Sequence, residues 1–320
     1  MTDRPDVLFC TDAFHQLHGG RVRHVAPDLD ILPLVDDVEV APAELQRITL
    51  AFFSHDAWPE RAPTFMSVAL QAPRLRWLHT MSAGVDHPVF STMVERGVRV
   101  TTSSGSSASP IAGTVMMYLL ALSRDLPGTL RAQAAHTWGW KRWSELDGRR
   151  IAVVGYGPIG QEVVRLATAF GMEPTIVRRA AHGDEPVPVR RLSDLVDVAA
   201  STDALVVALP LTDDTRGLIG ADVLRALPQH AYFVNVGRGE LVDQGALVAA
   251  LNDGDIAGAG LDVADPEPLP ADDPLWDARN LILTPHNSGS SDGTGRRASE
   301  AFLANLERWV AGDPLANEVR

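Results

Sequence analysis

Three glycines spaced as G-x-G-x-x-G follow directly on a short apolar run at residues 151–154. In this pattern Gly155 turns the chain out of a strand, Gly157 lets the backbone approach a pyrophosphate, and Gly160 lets the next helix pack closely. A helical stretch at 162–170 and a second strand at 174–177 follow. Because a helix N-terminus presents unpaired N–H groups and the positive end of a dipole, the segment predicts a dinucleotide-binding site.

Three further polar side chains each follow a predicted strand in the same part of the chain: Arg238, Glu267 and His286. Open α/β sheets bind ligands at the carboxyl ends of their strands, so we expect these side chains near the glycine loop. An arginine binds a carboxylate with two hydrogen bonds, and a histidine beside a carboxylate exchanges protons near neutral pH. Taken singly, each residue also has an ordinary interpretation, as a surface cation, a loop charge or a hydrogen-bonded structural histidine.

Composition excludes several classes of protein. With 45% hydrophobic and 22% charged residues, the 320-residue chain has an ordinary globular composition, and its length suggests about two domains. A net charge of −13 disfavours nucleic acid or an anionic membrane as partner. Cys10 is the only cysteine, so we expect no intrachain disulfide, and no metal site is predicted. Without a membrane-length apolar run or a signal-peptide pattern, we expect a cytoplasmic protein.

Two series of predicted strands alternate with helical segments, which is typical of α/β domains. Predicted strands of the first series lie at 7–10, 49–54, 75–80 and 98–102, and those of the second at 151–154, 174–177, 204–209, 232–236, 258–263 and 281–284. A Gly/Ser-rich stretch at 101–109 precedes a helix at 111–123 and predicts a crossing between domains. The last helix, at 294–311, carries an apolar stripe through Phe302 and Leu306, and we expect it to return to the first domain.

The combination of motifs closely resembles the D-isomer-specific 2-hydroxyacid dehydrogenases, in particular those of glyoxylate/hydroxypyruvate reductase type. Besides the glycine loop, the resemblance rests on ordered motifs across nearly the whole chain: Ser82-Ala-Gly-Val-Asp86-His, Asp147-Gly-Arg-Arg, Ala208-Leu-Pro-Leu-Thr212, Val236-Gly-Arg-Gly-Glu-Leu-Val-Asp243, Gly260-Leu-Asp-Val263 with Pro266-Glu-Pro268, and Leu283-Thr-Pro-His286. It implies a two-domain α/β fold in which a Rossmann dinucleotide-binding domain, residues 102–289, is inserted into a flavodoxin-like substrate-binding domain, residues 1–101 and 290–320.

The same resemblance implies roles for individual residues. Arg238 would orient the substrate carboxylate, and Glu267 and His286 would form the acid/base pair that protonates the carbonyl oxygen of a 2-oxo acid during its reduction by NAD(P)H. Backbone N–H groups of Ala83 and Gly84 would take the other side of the carboxylate, while Ser82 would either point into the pocket or cap its own loop. The implied cofactor-binding residues are Gly155, Tyr156, Gly157, Pro158, Ile159, Gly160, Arg178, Arg179, Leu209, Pro210, Thr215, Val236, Gly237 and Asp262, with Asp262 matching the residue that holds the nicotinamide carboxamide.

Cofactor choice and assembly remain open at the level of sequence. Where the family often has an aspartate for the ribose 2′-hydroxyl, this chain has Arg178 and Arg179, which favours the 2′-phosphate of NADPH. If these arginines only reflect an arginine-rich composition, NADH would serve. The helix at 111–123 resembles the family's dimer helix and predicts a homodimer. Oxidation of phosphite on the same scaffold, and a non-catalytic nucleotide-sensing protein resembling the C-terminal-binding corepressors, remain alternatives.

Overall fold

The structure, a computed structural model, describes residues 5–36, 40–85 and 87–319. Two compact units make up the chain, the first from residues 1–107 and 291–320 and the second from residues 108–290. The boundary after Ser107 falls inside the Gly/Ser-rich stretch 101–109. Each unit contains one parallel sheet, and the fold is therefore the two-domain α/β fold that the motifs predict.

Regular elements alternate between strand and helix along most of the described residues. Strands are β1 Val7–Thr11, β2 Asp30–Leu34, β3 Leu50–Phe53, β4 Trp77–Thr80, β5 Arg99–Thr102, β6 Arg150–Val154, β7 Glu173–Arg178, β8 Val189–Arg191, β9 Ala204–Val207, β10 Tyr232–Asn235, β11 Gly258–Leu261 and β12 Leu281–Leu283. Helices are α1 Asp12–Val25, α2 Pro42–Leu45, α3 Ala62–Gln71, α4 Pro88–Glu95, α5 Ala108–Ser123, α6 Leu126–Ala134, α7 Pro158–Ala169, α8 Leu195–Ala199, α9 Ala221–Ala226, α10 Gln244–Asp253 and α11 Asp292–Ala311.

In the first unit, five parallel strands lie in the order β2-β1-β3-β4-β5, the flavodoxin-like order. The last helix, α11, packs on this sheet through Phe302, whose ring stacks on Phe52 at 4.4 Å between ring centroids. Trp77 stacks on the same ring at 5.5 Å. The apolar stripe of α11 is thereby covered by its own unit.

In the second unit, seven parallel strands lie in the order β12-β11-β10-β9-β6-β7-β8, a Rossmann arrangement extended by one strand. Helix α5 packs against this sheet and against α7. Most of its side chains are buried there, including Val115, Tyr118 and Leu119. Much of the apolar surface of α5, the helix that resembles a dimer helix, is therefore buried inside its own unit.

Two strands, β2 and β8, were not predicted. Both lie at sheet edges, where a strand pairs with only one neighbour and its sequence need not be a continuous apolar run. Pro33 interrupts β2, and β8 carries the exposed Arg190 and Arg191, as edge strands tolerate. Helix α7 begins at Pro158, earlier than the predicted residue 162, because a proline in the first turn needs no hydrogen-bond acceptor.

Helix α11 has 20 residues but is apolar along only one face. Thr294, Ala298, Phe302 and Leu306 are buried, whereas Glu300, Glu307 and Arg308 are exposed. Within the described ranges of the chain, no helix combines the length and the hydrophobicity that crossing a membrane requires.

A buried histidine lies in the middle of the first unit. The His79 ring on β4 is fully buried, with Nδ1 2.7 Å from Thr101 Oγ1 and Nε2 3.0 Å from Ser103 Oγ. Because the Ser103 hydroxyl donates to a backbone carbonyl, Nε2 carries the ring proton and donates to Ser103. Burial lowers the pKa of His79 to about 3, so the folded protein holds this ring neutral.

We expect His79 to make stability fall in mild acid. The pKa of His79 is lowered to about 3 in the folded protein and returns to about 6.5 on unfolding. Between these two pH values the unfolded chain therefore binds a proton at His79 that the folded protein does not bind. Between these values the free energy of unfolding should fall by about 1.4 kcal/mol per pH unit. Urea denaturation from pH 7 to 5 should show this loss in the wild type and not in His79→Gln.

The control is His24→Gln, since His24 is exposed; it should retain the wild-type pH dependence. Equal slopes for the wild type and His79→Gln would contradict a neutral buried ring. If His79→Gln does not fold, the His79 ring signals in a proton–carbon NMR titration of the wild type decide the question, since they should not move between pH 7 and 5.

Candidate active site

The predicted catalytic and cofactor residues of the second unit gather at one edge of its sheet. All its strands are parallel, so the segments that follow β6, β9, β10, β11 and β12 leave the sheet on the same side. These segments contain the glycine loop, Leu209-Pro210, Val236 to Arg238, Asp262 and Thr284 to His286. Residues that are far apart in the sequence therefore lie along the same edge of the sheet.

The glycine loop has the geometry of a dinucleotide cradle. Gly155 has φ +103°, and a Cβ there would come 2.6 Å from the Ala208 carbonyl oxygen. A Cβ on Gly160 would come 2.1 Å from the Gly155 carbonyl oxygen, whereas one on Gly157 would meet open space. Among the described residues, no atom lies close enough to require a glycine at 157, and no side chain caps the N-terminus of α7. The free space and the uncapped N–H groups fit a pyrophosphate.

The segments after β9 and β10 pack against each other beside this cradle. A Cβ on Gly237 would come 2.8 Å from the Leu209 carbonyl oxygen, and Val236 is buried, with its N–H donating to Val207. Thr215, predicted to bind the cofactor, is buried, and its hydroxyl donates to the Pro210 carbonyl at 2.9 Å and accepts from the Thr212 N–H at 2.8 Å. Its observed bonds therefore close the loop that carries Leu209 and Pro210.

Arg238 is held at the edge by the end of β10. The buried Asn235 donates from Nδ2 to the Arg238 carbonyl at 2.8 Å and accepts the Gly237 N–H at 3.0 Å. These two bonds fix the backbone on both sides of the turn. The guanidinium is half-buried and donates from Nη1 to the Gly237 carbonyl at 2.8 Å.

Glu267 and His286 form a hydrogen-bonded pair. His286 Nδ1 lies 2.7 Å from Glu267 Oε2, and Glu267 Oε1 accepts the Ala264 N–H at 3.0 Å. Because a carboxylate only accepts, Nδ1 carries a proton. The imidazole side chain is 47% exposed, and Nε2 has no hydrogen-bond partner among the described residues. The ring therefore offers Nε2 to a ligand.

Asp262 is buried and bonds to the loop that carries His286. Its carboxylate accepts from Thr284 Oγ1 at 2.6 Å, from the Asn287 N–H at 3.1 Å and from the Ser288 N–H at 3.1 Å. Ser288 Oγ donates to the same carboxylate. The sequence suggested that this residue holds a nicotinamide carboxamide; the observed bonds hold the backbone after β12.

Arg178, at the end of β7, forms an ion pair with Glu185. Its Nη1 lies 2.9 Å from Glu185 Oε1, and its guanidinium lies 5.9 Å from the Tyr156 ring centroid. Backbone N–H groups of His182 and Gly183 also donate to Glu185, and with Arg178 they lower the pKa of Glu185 to about 2. This carboxylate is therefore ionised at neutral pH and shares Arg178. The neighbouring Arg179 is exposed.

His182, Asp184 and Glu185 place possible metal-ligand atoms within 4.8 Å of one another, although the sequence predicted no metal site. Glu185 is already engaged with Arg178 and two backbone N–H groups. His182 and Asp184 are exposed. These contacts are those of a loop stabilised by its own ion pair.

The predicted substrate loop, Ser82 to Gly84, belongs to the first unit. The Ser82 hydroxyl donates to the Gly84 carbonyl at 2.8 Å and lies 3.0 Å from Thr80 Oγ1. The Ser82 side chain thus bonds within its own loop, and its part in binding a substrate stays a prediction. Asp86 of the same motif lies outside the described residues.

Sequence reasoning did not assign four side chains that shape the site: Asn235, Thr284, Ser288 and Glu185. Asn235 and Thr284 lie inside quoted motifs, and their positions at strand ends were the available signal. Ser288 and Glu185 had no signal, because their partners are set by loop conformation. Each acts on the residues predicted to be functional, by holding a backbone or a charge.

Comparison with known proteins identifies the family. The domain described as "D-isomer specific 2-hydroxyacid dehydrogenase, NAD binding domain" matches residues 116–288. A mouse glyoxylate reductase/hydroxypyruvate reductase is 33% identical over 261 residues, which cover 77% of each chain. The chain belongs to the D-isomer specific 2-hydroxyacid dehydrogenase family.

Solved structures agree with this assignment over the whole chain. A family protein from Aeromonas salmonicida has a TM-score of 0.82 at 29% identity and covers 99% of both chains. An NADPH-dependent glyoxylate/hydroxypyruvate reductase from Sinorhizobium meliloti, in complex with NADP and malonate, has a TM-score of 0.71 at 27% identity and covers 99% of this chain and 97% of its own. The chain is thus an enzyme of the NAD(P)-dependent 2-hydroxyacid dehydrogenase and 2-oxoacid reductase family.

Proposed function

We propose that the protein reduces a small 2-oxo acid to a D-2-hydroxy acid, using NADPH, with His286 as proton donor, Glu267 as its partner and Arg238 as the carboxylate-binding residue. The observation that carries the proposal is the Glu267–His286 hydrogen bond of 2.7 Å at the sheet edge that also holds the glycine loop and Arg238. The bound reduced nicotinamide supplies the hydride to the carbonyl carbon. The chain's own residues must then protonate the carbonyl oxygen and hold the substrate carboxylate in position.

His286 is suited to donate a proton to that oxygen. Its Nδ1 is occupied by Glu267, so the proton must come from Nε2. Because Nδ1 already bears a proton that bonds to Glu267, donation from Nε2 requires the doubly protonated ring. In the oxidative direction the same nitrogen would receive the proton from the hydroxyl group.

Arg238 is suited to bind the substrate carboxylate. A planar guanidinium donates two parallel hydrogen bonds to a carboxylate, which fixes both distance and orientation. The two hydrogen bonds of Asn235 restrict the backbone at Arg238, so less conformational freedom is lost when the substrate binds. We also propose the backbone N–H groups of Ala83 and Gly84 as contacts to the carboxylate.

The direct test is NADPH oxidation, followed at 340 nm, with glyoxylate, hydroxypyruvate, pyruvate and bulkier 2-oxo acids. We expect turnover of at least one of these acids, and His286→Asn should lower kcat by about 10² to 10⁴-fold, as expected when a positioned acid is removed. The matched control is His230→Asn. His230 also pairs with a carboxylate, Asp203, at 2.7 Å, but it precedes β10 at the opposite edge of the sheet.

The control variant should retain wild-type kcat. Tight NADPH binding with no reduction of any acid in the panel would overturn the proposed reaction. Near wild-type kcat in His286→Asn on a good substrate would show that the proton comes from another group.

NADPH is proposed as the preferred cofactor on the charge at the end of β7. The 2′-phosphate of NADPH carries nearly two negative charges, and Arg178 and Arg179 stand where an aspartate would repel it. Glu185 neutralises part of the charge of Arg178, so the exposed Arg179 is proposed as the freer donor. NADP in the Sinorhizobium meliloti relative supports this choice.

Replacing the two arginines should reduce the preference for NADPH over NADH. Each charge-assisted hydrogen bond contributes about 1.5–3 kcal/mol, so Arg178→Gln with Arg179→Gln should lower the ratio of kcat/KM values by about 10² to 10⁴-fold, mainly through the cofactor KM. Glu185→Gln should raise the ratio, because Arg178 loses its competing partner. An unchanged ratio in the double variant would contradict the phosphate assignment.

A homodimer is also part of the proposal, on the exposed apolar surface that follows α5. Leu130 is 55% exposed, Trp140 82% and Trp138 fully exposed, and exposed apolar side chains of this size favour an interface. Light scattering at micromolar concentration should give twice the 34.5 kDa mass of one chain. A mass of a single chain would contradict the dimer.

A further inference from the structure

The backbone of His286 lies in a conformation that side chains other than glycine rarely adopt. Its φ is +49°, in the left-handed region, which is unfavourable for such residues unless the surroundings stabilise it. Histidine tolerates this region better than β-branched residues do. The orientation of the ring toward Glu267 therefore depends on the contacts that hold the loop.

Those contacts converge on Asp262. The His286 N–H donates to the Asp262 backbone carbonyl at 2.7 Å, and the next two N–H groups, of Asn287 and Ser288, donate to its carboxylate at 3.1 Å. A single buried residue thus holds the backbone at the histidine and after it. If the carboxylate moves, the backbone that sets the ring orientation moves too.

The carboxylate is in turn held by Thr284, which donates from Oγ1 to Asp262 Oδ1 at 2.6 Å. The Thr284 hydroxyl has one proton, and that proton is committed to Asp262. Its hydrogen bond with the Tyr118 hydroxyl must therefore have Tyr118 as donor. A backbone carbonyl, that of Leu261, lies 3.1 Å from the same tyrosine oxygen and shares the proton.

Tyr118 is suited to remain a donor. It lies on α5, its side chain is fully buried, and its ring packs against Gly260. Burial raises the pKa of Tyr118 to about 12, so the hydroxyl stays protonated throughout the working pH range. The direction of the chain from Tyr118 to Thr284 to Asp262 is therefore fixed.

We propose that Tyr118 and Thr284 are positioning residues for His286, acting through Asp262 to hold the histidine in its left-handed conformation. The proposal rests on the proposed function, because the position of His286 matters only if the ring reacts. Neither residue is proposed to touch the reacting atoms. Their contribution should appear mainly in the rate of the chemical step.

The central experiment compares Thr284→Val, which keeps the shape and removes the hydroxyl, with Thr284→Ser, which keeps the hydroxyl. The measured quantity is the single-turnover rate of NADPH oxidation at saturating 2-oxo acid. Because small displacements of a catalytic group lower rates by up to about 10²-fold, Thr284→Val should fall by about 10 to 10²-fold. Thr284→Ser should be close to the wild type, and in Thr284→Val the NADPH dissociation constant should change by less than the rate.

Tyr118→Phe tests the next link and has a matched control. It should lower the same rate, by less than Thr284→Val. Tyr232→Phe also removes a half-buried tyrosine hydroxyl, but at the start of β10 on the opposite edge of the sheet. Tyr232→Phe should leave the rate unchanged.

Hydrogen exchange of the 286–288 amides separates this proposal from the proposed function. These amides should be protected in the wild type and should exchange faster in Thr284→Val and Tyr118→Phe but not in Thr284→Ser. If the wild type reduces no 2-oxo acid, the reaction fails and exchange still tests the network. Wild-type rate and exchange in Thr284→Val, or equal impairment in Thr284→Val and Thr284→Ser, would overturn the positioning role. If Thr284→Val does not fold, Tyr118→Phe carries the same test.

Discussion

The parallel direction of all seven strands in the second unit is the constraint on which its chemistry depends. Parallel strands end together, so residues as far apart in sequence as Gly155 and His286 leave the sheet at one edge. The strands beneath this edge are buried: β9 and β11 are buried throughout, and β6 is buried after its first residue, Arg150. The loops can then carry polar and strained residues without loss of the fold.

Stability at that edge comes from buried acceptors that hold backbone N–H groups. Asn235 holds the turn of Arg238, and Asp262 holds the loop of His286. Both acceptors are nearly inaccessible, and in a medium of low dielectric constant such bonds are strong and an unpaired group is costly. The loops that carry the exposed, reacting side chains are therefore held by buried polar residues that do not themselves react. This division lets Glu267 and His286 meet solvent while their backbones stay fixed.

Much of this organisation could be predicted from sequence, and the failures have physical causes. Buried strands such as β6 and β9 are continuous apolar runs, and the glycine spacing is informative because it stands between such a strand and a helix. The edge strands β2 and β8 were missed because one-sided pairing leaves their sequences polar or interrupted. The bonds of Tyr118 with Thr284 and of Ser288 with Asp262 could not be predicted, since they join segments brought together only by the folded sheet. The ion pair of Arg178 with Glu185 likewise depends on the conformation of one loop.

The central claim is that His286, hydrogen-bonded to Glu267, donates the proton in the reductive direction. The most direct measurement is the single-turnover reduction rate at saturating NADPH and 2-oxo acid in the wild type and in Glu267→Gln, which keeps a hydrogen-bond acceptor and removes the charge. The variant should react about 10 to 10²-fold more slowly, because the ring that donates the proton has lost its charged partner at Nδ1. Equal rates in the wild type and the variant would contradict the claim.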